Sequence, residues 1–181
     1  MYIAEQLKKK NISEYLLYMW QVEDTLRAYG LDAEKMASEY IPQFKLDSEK
    51  SEELKGWYES LIQMMHEENA EKEGHLQINK NILILLTDLH LQLLKSSKHP
   101  FYSAAYYKAL PFIVELRAKS AESQEKGELE NCFDALYGMM LLRMQKKEIS
   151  AETATAMSNI AKLIGLLSDY YQKDKAGEVE F

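Results

Sequence analysis

The chain has 181 residues, 46% of them hydrophobic and 28% charged, which is enough apolar material for one globular domain with a sizeable core. A net charge of −7 opposes a nucleic-acid partner, because duplex affinity comes largely from Lys and Arg displacing counterions, and the only basic run is Lys8-Lys9-Lys10. One cysteine excludes an internal disulfide framework, the opening Met1-Tyr2-Ile3-Ala4-Glu5 carries no secretory signal, and no segment reaches about eighteen uninterrupted apolar residues, so the expectation is a cytoplasmic protein with no membrane partner.

Only 3 Pro and 7 Gly punctuate the chain, and the remainder is rich in Leu, Glu, Lys, Ala, Met and Gln, which lose least on entering a helix. The reading is all-α: a single-domain bundle of about six or seven helices over residues 1 to 173, with a frayed tail at residues 174 to 181. An amphipathic lead at residues 2 to 10 runs into Asn11-Ile12-Ser13, where Asn11 or Ser13 caps a long helix bearing Ile12, Tyr15, Leu16, Met19, Val22, Leu26 and Tyr29. Gly30 stops that helix, Asp32 caps a short one reaching Tyr40, and Pro42 ends it. The next helix, from about residue 51, carries Leu54, Trp57, Tyr58, Leu61, Ile62 and Met65. It fades into the acidic residues 67 to 73 before Gly74, against the preference of a helix C-terminus for cations.

Residues 82 to 94, Ile-Leu-Ile-Leu-Leu-Thr-Asp-Leu-His-Leu-Gln-Leu-Leu, are too apolar for a surface element and read as the buried central helix that the others cover. Part of this run alternates like a strand; the Pro- and Gly-free length from 76 to 95 decides for helix. Asp88 and His90 then face opposite ways. Pro100 opens a further helix with Tyr102, Tyr106, Ala109, Ile113 and Leu116 on one face, and Pro111 is expected to kink or break it near 109 to 111. A turn at Glu125-Lys126-Gly127 leads to a helix over residues 128 to 147, and Ser150 caps the last one through Met157, Ile160, Ile164 and Leu167.

Met1-Tyr2-Ile3-Ala4, Lys9-Lys10-Asn11-Ile12 and the run from Glu14 to Asp24, EYLLYMWQVED, resemble a family of bacterial proteins of unknown function found mainly in the Bacteroidetes, most sharply over the first thirty residues. The resemblance implies a cytosolic bacterial protein. It transfers no activity, and it directs attention to Trp20, Glu23 and Asp24.

No spacing rises to a catalytic motif. Helical di-metal sites use Glu-x-x-His, and none of His66, His75, His90 and His99 has Glu three residues before it; there is no His-Glu-x-x-His, no phosphate loop and no Gly-x-Ser-x-Gly elbow. Glu67, Glu71 and His75 share a helical face only if the helix passes Gly74. Neither a metal nor another cofactor is expected. Glu23 stands four residues before Arg27 and reads as a surface ion pair at the edge of a stripe, and Cys132, among Leu129, Phe133 and Leu136, reads as a buried inert thiol.

The sequence therefore points to a non-enzymatic helical interaction protein, a homo-oligomer or adaptor, because Leu17, Trp20 and Tyr107 lie outside the main stripes. Trp20, Glu23, Asp24, Tyr106 and Tyr107 are the candidate ligand- or partner-binding residues. The alternative is a small-molecule binding domain with a pocket near the Pro111 helix and its cluster Phe101, Tyr102, Tyr106, Tyr107 and Phe112. An enzyme would need two of Glu23, Asp24, Asp88 and His90 to converge.

Overall fold

A computed structural model describes residues 1 to 181 and contains helices and connections only. Nine α-helices follow one another: α1 (Tyr2–Lys10), α2 (Ile12–Ala28), α3 (Ala33–Lys35), α4 (Ser48–Glu67), α5 (Gln77–Lys95), α6 (Pro100–Ala118), α7 (Ala121–Glu125), α8 (Glu128–Met144) and α9 (Ala151–Lys175). The all-α expectation holds, and α3 and α7, one turn each, account for the excess over six or seven. After α3 the chain widens into a π-helical turn, Met36–Tyr40, and tightens into a 3-10 turn, Ile41–Phe44. Pro42 lies near the start of that turn instead of ending the preceding element, because a proline in the first turn forfeits no hydrogen bond; Lys45, at φ +51°, provides the stop.

The expected caps are in place. Asn11 accepts from the Ser13 backbone N–H at 3.1 Å, Asp32 from Glu34 and Lys35, and Ser150 from Thr153; Asp47, by accepting from Lys50, starts α4 three residues ahead of the expected position near 51. Gly30, at φ +72°, takes the left-handed turn that closes α2, and the Leu31 N–H returns to the Leu26 carbonyl.

The residues group into two compact units. One comprises Met1–Lys10 and Glu14–Ile82; the other comprises Asn11–Ser13 and Leu83–Phe181. Within the first, Leu16, Met19, Trp20, Leu26, Met36, Leu61, Met65 and Leu76 are buried, and α4 packs on α3 and on the two turns after it. Within the second, α6 packs most extensively on α9, and both pack on α8; Tyr102, Ala109, Ile113, Phe133, Ile160, Leu163 and Leu167 fill the space between them. Ser13 and Ser168 join hydroxyls inside this unit.

The expectation of a central helix covered on all sides is corrected. Ile82, Leu86, Leu89 and Leu93, at spacings of four, three and four, are buried, yet Ile84 and Leu85 on the opposite side are 54% and 52% exposed and Leu91 is 46% exposed. The element is amphipathic by position although its composition is apolar on both sides. The break expected at Pro111 is also absent. α6 runs through it, with Pro111 on the exposed side, where the proline ring meets water and not a packed neighbour.

Candidate functional site

In the first unit a buried polar cluster forms around Glu23. Its side chain has no exposed surface, and its carboxylate accepts from the Leu76 backbone N–H at 3.0 Å and from Asn79 Nδ2 at 2.6 Å through Oε1, while Oε2 lies 2.6 Å from His75 Nδ1. Trp20, one helical turn before, lays its ring parallel to the His75 imidazole, 4.0 Å between centroids and 10° between planes. Leu76 is the residue before α5, so Glu23 places a carboxylate at the N-terminus of that helix, where the backbone presents unpaired donors and the helix dipole favours negative charge. Glu68 does the same from the other side, accepting from the Gln77 N–H at 2.6 Å. Within the acidic stretch that looks misplaced at the end of α4, Glu68 thus serves the start of α5, while Glu67 and Glu71 turn back to Gln63 and His66 of α4.

The expected Glu23–Arg27 pair is not formed. Arg27 binds Asp24 at 2.8 Å and turns its other nitrogens to the carbonyls of Ala70 and Gly74, 3.0 and 2.5 Å from Nη2, bracing the segment between α4 and α5. Spacing along α2 permitted either acid; the carbonyls of this segment drew Arg27 to the side of Asp24 and left Glu23 to the inner side. Glu71 turns to His66 at 3.3 Å and His75 to Glu23, so the three side chains at 67, 71 and 75 do not gather, and no group of three or more His, Cys, Asp or Glu stands in a metal-binding arrangement.

The chemistry open to this cluster is positioning. His75 is partly exposed, one nitrogen is held by a buried carboxylate and one face lies against an indole, an arrangement that orients an imidazole firmly. Asp24, the neighbouring acid, is turned to Arg27. His75 stands out in the sequence only as a possible metal ligand beside Glu67 and Glu71, and Asn79 and Glu68 carry no signal of their role there. Their partners lie 52, 56 and 9 residues away, and only the acidic excess before α5 was a visible sign.

The second unit holds a second cluster. His90, 3% exposed, bonds through Nδ1 to the Tyr102 hydroxyl at 2.6 Å, and the Tyr106 ring meets it edge-on at 5.2 Å. Tyr106 donates to Glu128 at 3.0 Å. Burial lowers the imidazole pKa of His90, against a smaller opposing effect of Glu128, and raises the Tyr102 hydroxyl; burial and the Glu128 bond push Tyr106 up to about 12. Cys132 beside them is fully buried, and its thiol is pushed up to about 12, as an inert core thiol should be. Asp88, on the far side of α5, is exposed, so it and His90 diverge.

Of the five candidates, Glu23 and Trp20 are thus core members, Asp24 holds Arg27, and Tyr106 is tied to Glu128, while Tyr107 is 67% exposed. It does not stand alone. Pro100, Ala104, Tyr107, Pro111, Val114 and Ala118 are all exposed, at spacings of four, three, four, three and four, with Phe101 alongside at 83% exposure and Val114 at 58%. That is an unbroken apolar seam along the outer side of α6, in the repeat by which one helix packs on another. Its signal in the sequence is faint, because Pro and Ala are weakly hydrophobic and the inward face of α6 is stronger.

Each unit also contains a concavity. A cleft of about 140 Å³ lies between α6 and α9, beside Phe112, Leu116, Glu152 and Met157. A larger groove of about 370 Å³ lies in the first unit between Ala4, Tyr15, Met19, Leu61, Met64 and Ile78, with Glu5 and Lys8 on its rim. No helix is long and apolar enough to cross a membrane. No curated protein and no solved structure matches the chain at a significant level. The family model for a domain of unknown function, DUF4924, matches residues 1–178, and the chain belongs to that family.

Proposed function

We propose that this is a non-enzymatic cytoplasmic protein, bacterial as its opening segment suggests, that acts by association through the outer face of α6. The carrying observation is the exposed seam from Pro100 to Ala118. Large aromatics such as Phe101 and Tyr107 standing in water cost solvation free energy that a partner recovers, and a continuous apolar stripe is a feature of interaction surfaces more than of monomer surfaces. The polar clusters support the same reading from the other side, since Glu23, His75 and His90 spend their hydrogen bonds on holding helices in place. The test is to replace Tyr107 with a photo-cross-linking phenylalanine analogue and irradiate cells producing the protein, with the same analogue at exposed Glu125 as control. A protein adduct from position 107 and none from 125 is expected; its absence from 107 overturns the proposal.

A second reading, small-molecule binding, is favoured by the groove in the first unit. The α6 cleft is below the size range of ligand sites, whereas about 370 Å³ falls within it, and Met19 and Met64 give it adaptable walls. An apolar fluorophore whose emission rises with the native protein, and no longer rises with Met64→Glu at unchanged circular dichroism, is the result this reading requires.

A further inference from the structure

The seam on α6 specifies more than an apolar partner. With Ala104, Pro111 and Ala118 as one row of the repeat and Pro100, Tyr107 and Val114 as the other, the flanking positions are set by geometry. One edge carries Phe101, Lys108 and Glu115; the other carries Ser103, Leu110 and Arg117. Lys108 and Glu115 are exposed and two turns apart on the same edge; Glu115 reaches only Lys119 of its own helix, at 3.7 Å, and both of those side chains are more than 60% exposed. Arg117 is already directed to Glu128 and to the Gln124 carbonyl.

We propose, resting on the reading of α6 as an interaction face, that the seam binds a second copy of this chain, α6 against α6 in antiparallel orientation, with Lys108 of each copy facing Glu115 of the other. The orientation is decided by which edges meet. In a parallel pair the Lys108–Glu115 edge faces the Ser103–Leu110–Arg117 edge, where Lys108 finds no carboxylate and the one cation, Arg117, is already held by Glu128 and the Gln124 carbonyl. In an antiparallel pair like edges meet. A two-fold axis level with Phe112 then brings Lys108 to Glu115 twice and, on the other edge, sets Leu110 of each copy beside Arg117 of the other, so that no like charges are opposed. In the same register Pro111 lies against Val114 and Tyr107 against Ala118, large side chains alternating with small ones across the contact. The small residues let the helices approach, and Tyr107 of each copy supplies the largest share of the contact area.

The test is sedimentation equilibrium of the full chain over about a thousandfold range of concentration, for the wild type, Val114→Glu, Lys108→Glu, Glu115→Lys and the double reversal Lys108→Glu/Glu115→Lys. All the substituted positions are exposed, so each variant should keep the wild-type circular dichroism, and at concentrations dilute enough to leave every form monomeric it should melt where the wild type does. The wild type is expected to be a dimer. Val114→Glu weakens it at least about tenfold by placing a charge in the seam. Each single reversal weakens it roughly fivefold or more, since two attractive pairs become two repulsive ones, and the double reversal returns it to within about twofold of the wild type. A wild type that stays monomeric overturns the inference, as does a dimer indifferent to Val114→Glu or a double reversal no better than the singles. The cross-link from position 107 separates the two levels. An adduct with some other protein and a monomeric wild type sinks the second copy but keeps the interaction face; no adduct sinks both.

Discussion

Replacing Glu23 tests whether one buried carboxylate organises the start of α5. The side chain is completely buried and receives hydrogen bonds from a backbone N–H and a 1% exposed amide, with His75 on its second oxygen. In Glu23→Ala the Leu76 N–H and Asn79 Nδ2 lose their acceptor inside the protein. Each buried donor left unpaired costs about 1–3 kcal/mol, and breaking buried ionic networks costs about 3–5 kcal/mol, so a loss of roughly 3–5 kcal/mol is expected. Against a total stability of about 5–15 kcal/mol this brings the chain close to unfolding. Glu23→Gln keeps the shape and an acceptor for the two donors, exchanging charge-assisted bonds for neutral ones, and should cost only about 1–2 kcal/mol. Urea unfolding followed by circular dichroism reads both as shifts in midpoint at unchanged slope, and native-state hydrogen exchange should show the first turn of α5 losing protection ahead of the rest in Glu23→Gln. If Glu23→Ala lies within about 1 kcal/mol of the wild type, the anchoring role assigned to Glu23 is wrong.

Three further outcomes are expected. On α5, Leu86→Ala should cost about 2–5 kcal/mol and Leu85→Ala less than about 0.5 kcal/mol in chemical denaturation, because Leu86 has no exposed surface and Leu85 is half in water; equal losses would mean both faces are covered. His90 has its pKa lowered by burial, so below the ordinary value of 6.5 the unfolded chain takes up a proton that the folded chain refuses. Stability should therefore fall as pH drops from 6.5 through the folded pKa, and His90→Gln should flatten that part of the profile; an unchanged slope in urea titrations across it would dismiss the effect. Cys132 should resist a thiol reagent at about pH 8 in the native protein and react at once in denaturant, and rapid native labelling would contradict its burial and raised pKa.

The amino-acid sequence by itself determined the helical class and most helix ends, since these depend on neighbours in the chain: Asn11, Asp32, Asp47 and Ser150 cap because their oxygens reach donors two or three residues on, and Gly30 turns because it has no Cβ. The thirty-residue opening was likewise enough to point to the family that the whole chain joins. Tertiary structure alone decided how side chains of ambiguous position are used. Residues 82 to 94 are apolar on both sides, so composition could not say which half meets the core, and only packing left Ile84, Leu85 and Leu91 outside. Glu23 could as well have faced Arg27 along its own helix; a loop and a helix start about fifty residues away gave the buried carboxylate three partners and gave Arg27 to Asp24 and two carbonyls. Spacing states which side chains share a face, but which face is turned inward depends on what the rest of the chain brings to it.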